Sequence, residues 1–210
     1  MTTIYYVRHA EPDYSWKEDA GRPLTKSGMR AVKKVDKVFR HIQIDRILSS
    51  PYRRSITTIQ SLADSRHMII ETDSRLRERE SGIKGNIKKE FYKRWGDFSY
   101  HEEGGESLEM TQKRNIEAIT EILEKYPGET IVIGGHGTAL STILNYYDPD
   151  YGVADFYRMI HFLPYVVKLE MDGKRLLHKQ EILIVNKSFK RTALAAVKKI
   201  KRKLRGIEGE

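Results

Sequence analysis

Short apolar runs that alternate with stretches of helical spacing restrict this chain to a layered α/β fold. Residues 3–7 (Thr-Ile-Tyr-Tyr-Val) are β-branched and aromatic, and residues 130–134 (Thr-Ile-Val-Ile-Gly) carry the strongest buried-strand pattern in the chain. Arg46-Ile47-Leu48-Ser49 is a shorter strand of the same kind, and residues 68–72 are another candidate. Between them lie helical patterns. Met29, Val32, Val35, Val38/Phe39 and Ile42 recur at helical spacing from about Ser27, and Ser50-Pro51 opens a second helix bearing Ile56, Ile59 and Leu62/Ala63. A longer helix spans about residues 108–126 and ends at Pro127-Gly128, and residues 138–147 form one more. Residues 165–171 and 175–185 flank Asp172-Gly173, a hairpin-turn pair. Residues 74–107 are polar and rich in glycine, and read as a long loop or cap. The expectation is a three-layer α/β sandwich with a mostly parallel central sheet, helices on both faces and a small cap region.

The 210 residues suffice for one domain with a sizeable core, placed at 1–186, with the cap inserted at about 74–107. No apolar run reaches the roughly 18–20 residues needed to cross a bilayer, and charge follows too soon after the start for a signal peptide. The absence of cysteine excludes disulfides, thiolate metal sites and a cysteine nucleophile. A cytoplasmic protein is the expectation. Its net charge of +9 is uneven, because residues 187–210 carry nine Lys/Arg against Glu208 and Glu210. The rest of the chain is therefore near neutral, which makes nucleic acid an unlikely partner for the body.

In such sheets ligands bind beyond the carboxyl ends of the strands. Three strands deliver reactive residues there. The first ends in Arg8-His9, the second in Ser49-Ser50-Pro51-Tyr52-Arg53-Arg54, and the buried fourth in Gly135-His136-Gly137-Thr138. Arginine presents a fixed fork of donors matched to phosphate oxygens, and helix N-termini add backbone N–H groups. Among such cations a neutral imidazole is a competent nucleophile toward phosphorus, which suits His9. His136 is placed to stabilise the equatorial oxygens of the transition state. Glu78, in the cap, is the preferred proton donor for the leaving oxygen, ahead of Glu11, Glu80 and Glu106. His41, His67, His101, His161 and His178 have no comparable context and read as structural or solvated.

These residues resemble a known family. Val7-Arg8-His9-Ala10-Glu11 is similar to the Arg-His-Gly signature of the histidine phosphatase superfamily, which includes the cofactor-dependent phosphoglycerate mutases. Pro23-Leu24-Thr25 with Gly28 resembles the start of that family's first helix, and residues 49–58 its Ser-Ser-Pro-x-x-Arg-Ala-x-x-Thr segment. Leu76-Arg77-Glu78 with Gly82 resembles the acid-bearing loop, and Gly105-Glu106-Ser107 and Gly135-His136-Gly137 complete the set across residues 3–145. The resemblance implies that His9 is the phosphorylated nucleophile, that Arg8, Arg54 and His136 form the phosphate pocket, and that Glu78 is the general acid. It implies no metal and no cofactor. Ala10 replaces the usual glycine, Pro12 follows Glu11 where Ser or Thr is more usual, Ser15 stands where mutase-like members often have asparagine, and Gly85 is offset from the family's second glycine.

Glu78 and Glu106 are separated by 28 positions, whereas resemblance to a mutase would call for a longer insertion enclosing the site. A phosphomonoester hydrolase acting on a small molecule is therefore preferred to a phosphoglycerate mutase-type transferase or a non-catalytic phosphate-binding module. Phe91, Tyr92, Trp95, Phe98 and Tyr100 are expected chiefly to pack the cap, with a substrate wall as the alternative. In the tail, Phe189, Ala193, Val197, Ile200, Leu204 and Ile207 fall on one helical stripe among lysines and arginines. Such a basic amphipathic helix is expected to pack on its own domain, ahead of lying on an anionic membrane surface and then of binding nucleic acid.

Overall fold

The computed structural model describes residues 1–83 and 88–186. The tail at 187–210 and Gly85 lie outside the described residues. In chain order the elements are β1 (Thr2–Arg8), α1 (Lys26–Phe39), β2 (Arg46–Ser49), α2 (Arg53–Asp64), β3 (Ile70–Thr72), a 3-10 turn (Ser74–Leu76) and α3 (Lys88–Gly96). There follow α4 (Leu108–Lys125), β4 (Thr130–Gly135), α5 (Gly137–Tyr147), α6 (Val153–Met159), β5 (Phe162–Asp172) and β6 (Arg175–Asn186). The strands form one sheet in the order β3-β2-β4-β1-β5-β6. The first four are mutually parallel, whereas β5 pairs antiparallel with both β1 and β6.

The apolar runs are continuous because both faces of the sheet are covered. In β1, Ile4 and Tyr6 join the core beneath α4, α5 and α6 with Ile119, Leu140 and Met159. The intervening Tyr5 and Val7 point the other way, into the core beneath α1 and α2 with Val35, Phe39, Ile59 and Leu62. Successive strand side chains alternate between faces, so only an unbroken apolar segment can fill both cores. Helix starts are set by side-chain caps: the Thr25 hydroxyl accepts the Gly28 N–H at 2.9 Å, and the Ser107 hydroxyl accepts that of Met110 at 3.0 Å.

Two helices depart from the sequence expectation. The stretch at 74–107 is not simply loop, because it contains α3, whose Phe91 and Trp95 lie one turn apart and pack against the main core. The surrounding lysines and glycines mask that single apolar pair. Helix α6 has only seven residues, too few to show a period, yet it buries Phe156 and Met159. Among the described residues no helix is long and apolar enough to cross a membrane.

Leu140 is fully buried, whereas Ile69 is 82% exposed. Leu140→Ala should cost about 2–5 kcal/mol in urea unfolding, and Ile69→Ala less than about 0.5 kcal/mol. Equal effects would contradict the placement of the core.

Candidate active site

The register of β1 against β4 aligns Arg8 with Gly135, and the ladder continues past the strand ends as the His9 N–H bonds to the Gly135 carbonyl at 3.0 Å. On the other side of β4, the Ser50 N–H bonds to the Gly134 carbonyl at 2.9 Å. Three strand ends are thereby locked level with one another. The rings of His9 and His136 meet edge to face with centroids 5.4 Å apart, and Tyr52 closes on His136 at 5.1 Å.

His9 is 4% exposed. Its Nδ1 lies 2.8 Å from the Ala10 carbonyl oxygen. A carbonyl can only accept, so Nδ1 carries the proton and Nε2 of the neutral ring keeps its lone pair. Burial, reinforced by the positive charges of Arg54 and Arg8, holds His9 well below the ordinary histidine value of 6.5. His136 is depressed in the same way, by burial first and then by Arg54. Its Nε2 lies 2.7 Å from the Ser50 hydroxyl, which also accepts the Tyr52 N–H at 3.2 Å. With Ser50 donating to Nε2, Nδ1–H becomes a donor, and Nδ1 is buried without a protein partner among the described residues.

Two glycines make room for this arrangement. A Cβ on Gly135 would fall 2.1 Å from the Tyr6 hydroxyl, the group that accepts the His136 N–H at 3.3 Å. A Cβ on Gly137 would meet Arg8 Nε at 2.9 Å. Arg8 donates one nitrogen to the carbonyls of Met159 (2.6 Å) and Phe162 (3.0 Å), while its buried Nε has no partner among the described residues. Arg54 is also buried, and its guanidinium is held by Asp19 through the backbone oxygen at 2.6 Å and carboxylate contacts at 3.2 and 3.3 Å. Asp19 also pairs with Arg22.

Glu78 sits at the start of α5. Its two carboxylate oxygens accept the N–H groups of Thr138 and Ala139, each at 3.1 Å, and one of them also accepts that of Arg79 at 2.9 Å. The loop bearing Glu78 is pinned from below by Arg114 of α4, which donates to the carbonyls of Arg75 (2.6 Å), Arg77 (2.8 Å) and Glu78 (3.1 Å). Arg114 is itself clamped by a two-pronged pair with Glu106 at 2.8 and 2.7 Å. Burial pushes the Glu106 carboxyl up, but the hydrogen bond from Arg114, the Glu80 N–H and the charges of Arg114 and Arg77 outweigh it and leave Glu106 below the ordinary glutamate range.

A cavity of about 300 Å³ opens beside these groups, lined by Arg8, Glu78, Gly137 and Thr138 on one side and by Phe91, Trp95, Phe156 and Ile160 on another. The cap aromatics therefore divide. Phe91 and Trp95 both pack on Phe156 and face the cavity, whereas Tyr92 is exposed and the Tyr100 hydroxyl donates to Glu90. His161, expected to be structural or solvated, also borders the cavity.

The structure thus brings Arg8, His9, Arg54 and His136 to one edge and sets Glu78 against the adjoining helix start. It separates the other acid candidates: Glu106 is tied to Arg114, Glu11 accepts from the Thr25 hydroxyl at 3.0 Å, and Glu80 is exposed. Asp19 and Arg114 were not foreseen. Neither belongs to a motif, since Asp19 lies in the irregular segment before α1 and Arg114 is one cation among several on a long helix.

Fold and site together define an α/β domain with a cluster of buried histidines and arginines at the carboxyl edge of its sheet. The chain belongs to the histidine phosphatase superfamily (branch 1), whose profile matches residues 4–181, and is an enzyme of that superfamily. It is 28% identical over 150 residues to an uncharacterised phosphatase, PhoE, of Bacillus subtilis, covering 69% of this chain and 76% of that protein. It is also 28% identical over 159 residues to a probable phosphoglycerate mutase, GpmB, of Salmonella choleraesuis, covering 69% and 74%. The fold matches that of Bacillus stearothermophilus YhfR with a TM-score of 0.72 at 22% identity, over 89% of this chain and 98% of the other.

Glu106 contributes stability above pH 4.5, where it is ionised in both states, and the contribution is lost as the pH falls through its lower folded value. Glu106→Gln should therefore cost about 3 kcal/mol at pH 7. The deficit should shrink in urea titrations below pH 4.5; a deficit independent of pH would refute the role of the ion pair.

Proposed function

We propose that this protein is a metal-independent hydrolase of small-molecule phosphomonoesters working through a phosphohistidine at His9. The observation that carries the reading is the fixed tautomer: the Ala10 carbonyl holds the proton on Nδ1, and burial among cations keeps Nε2 unprotonated. Nε2 attacks phosphorus, the bond to the ester oxygen breaks, and Glu78, as general acid, delivers a proton to the departing oxygen. Water then attacks the phosphohistidine, Glu78 takes a proton from it, and the P–N bond breaks to release phosphate and restore His9.

Arg8 and Arg54 neutralise the phosphate charge, and His136 donates through Nδ1 as charge grows on the transferring oxygens. The buried Arg8 Nε and His136 Nδ1 support this assignment, because each is a polar atom that a phosphate oxygen would satisfy. The leaving group occupies the cavity under Phe91 and Trp95, whose size suits a small molecule.

Hydrolysis is favoured over transfer to a second phosphoglycerate because the described part of the cap holds a single helix of nine residues. The mutase reading is kept by the likeness to GpmB. Transfer of phosphate to 2-phosphoglycerate rather than to water would establish it.

Incubation with p-nitrophenyl phosphate in EDTA should release phosphate and leave an acid-labile phosphoenzyme. His9→Ala should abolish both, whereas Glu78→Gln should slow alkyl phosphates about 10²–10⁴-fold and activated aryl esters much less. Tight phosphate binding without turnover of any monoester would replace the hydrolase with a binding module.

Protonation of Nε2 removes the attacking lone pair, so activity should fall only as the pH drops through the depressed His9 value. After correction for substrate titration, the acid limb of kcat/KM should lie below pH 6.5. A limb centred at or above 6.5 would contradict the buried, cation-flanked imidazole.

A further inference from the structure

The hydroxyl of Ser50, a residue with no exposed surface, is held in place by the chain on either side of it. Pro51 disfavours a helical backbone at Ser50, and α2 begins only at Arg53, so the N–H of its cap residue, Tyr52, has no partner within the helix. That N–H donates to Ser50 Oγ at 3.2 Å, a local turn that fixes where the hydroxyl points. The backbone N–H of Ser50 bonds to Gly134 of β4, two residues before His136. Oγ then lies 2.7 Å from His136 Nε2, while the Tyr52 ring packs edge to face on the same imidazole.

The hydroxyl has one proton to give. Its oxygen already accepts from Tyr52, and among the described residues the acceptor within its reach is Nε2. Were Nε2–H to donate instead, Oγ would accept twice and its own proton would be buried without an acceptor, an arrangement that native structures seldom contain. A neutral imidazole holds a single N–H, so a bond received at Nε2 leaves the proton on Nδ1.

Ser49 supplies a contrast. It is equally buried and next in sequence, but successive strand residues point to opposite faces, and its hydroxyl pairs with that of Ser55 at 2.9 Å.

We propose that Ser50 is a positioning residue that selects the tautomer of His136. It donates to Nε2 and so keeps the proton on Nδ1, the nitrogen assigned above to the transferring oxygens; the role rests on that reading of the reaction. The two histidines are thus set by opposite means. At His9 a backbone carbonyl accepts from Nδ1, and no side-chain substitution removes it. At His136 one side chain donates to the other nitrogen, and its loss frees the ring to carry its proton on either.

The test is long-range proton–nitrogen correlation spectroscopy of the imidazoles in the full chain at neutral pH, with His136 assigned by the signals missing from H136N. The wild type should carry the His136 proton on Nδ1. S50A should gain a population with the proton on Nε2, whereas S49A should keep the wild-type pattern. His9 should retain its Nδ1 proton in both, which reports an intact site. With p-nitrophenyl phosphate, kcat and kcat/KM of S50A should fall by the same factor, at least about tenfold and less than the roughly 10²–10³-fold cost of deleting a charge-stabilising donor. An unaltered tautomer in S50A, an equal change in S49A, or a raised KM at constant kcat would overturn the proposal. So would a wild-type proton on Nε2, whatever the variants do. Absence of turnover by the wild type would defeat the hydrolase reading instead, and the spectra report the tautomer without turnover.

Discussion

The pairing of β1 with β4 is the constraint on which the candidate site depends. Parallel strands in register end at the same level, and here the ends are Arg8-His9 and Gly135-His136. A slip of one residue would turn Tyr6 and Ile4 out of the core beneath α4 and α5 and carry both histidines to other faces of the sheet. The two apolar cores therefore hold the rings of His9 and His136 at 5.4 Å. Burial of Tyr6 adds a second tie, since its hydroxyl reaches across to the His136 N–H and occupies the space that Gly135 leaves open. Burial keeps that hydroxyl protonated by raising its pKa.

The Glu78 loop is organised on a different principle. Leu76 anchors it in the core, and the backbone carbonyls of Arg75, Arg77 and Glu78 are gathered by one guanidinium, that of Arg114. Glu106 orients that guanidinium through two bonds along one edge, and Ser107 next to it caps the same helix. The Gly-Glu-Ser segment thus sets the position of the loop at the base of the cap, and its glutamate is a fixed counter-ion rather than a group near the chemistry. A parallel set of buried charges, Arg79 and Arg94 around Glu102, joins α3 to the loop. Such pairs add little net stability against an apolar alternative but penalise displacement of either partner.

Much of this was legible in the sequence where one physical cause dominates. The parallel strands were visible because burial on both faces demands unbroken apolar runs, and the His9, Arg54 and His136 cluster because strand ends share an edge. Glu78 is preferred among four acids from its place in the glycine-bearing cap segment, and the family resemblance points to the same residue. The structure separates them by their partners. What stayed hidden depended on contacts distant in sequence: α3 rests on Phe91 and Trp95 meeting Phe156 of α6, and Asp19 reaches Arg54 across 35 positions. Neither has a local pattern.

The Asp19–Arg54 contact has a thermodynamic consequence. Arg54 is already bonded to an anion of the protein's own, drawn from a half-exposed aspartate that also holds Arg22. Under the proposed chemistry, phosphate reaches Arg54 by exchange with that carboxylate. The free energy measured for phosphate binding is then the difference between two charge-assisted pairings, and it includes moving the segment before α1. A doubly charged phosphate gains more from the exchange than a singly charged anion does. Under that chemistry the internal carboxylate would act as a selectivity threshold against chloride and carboxylates that a bare guanidinium would hold.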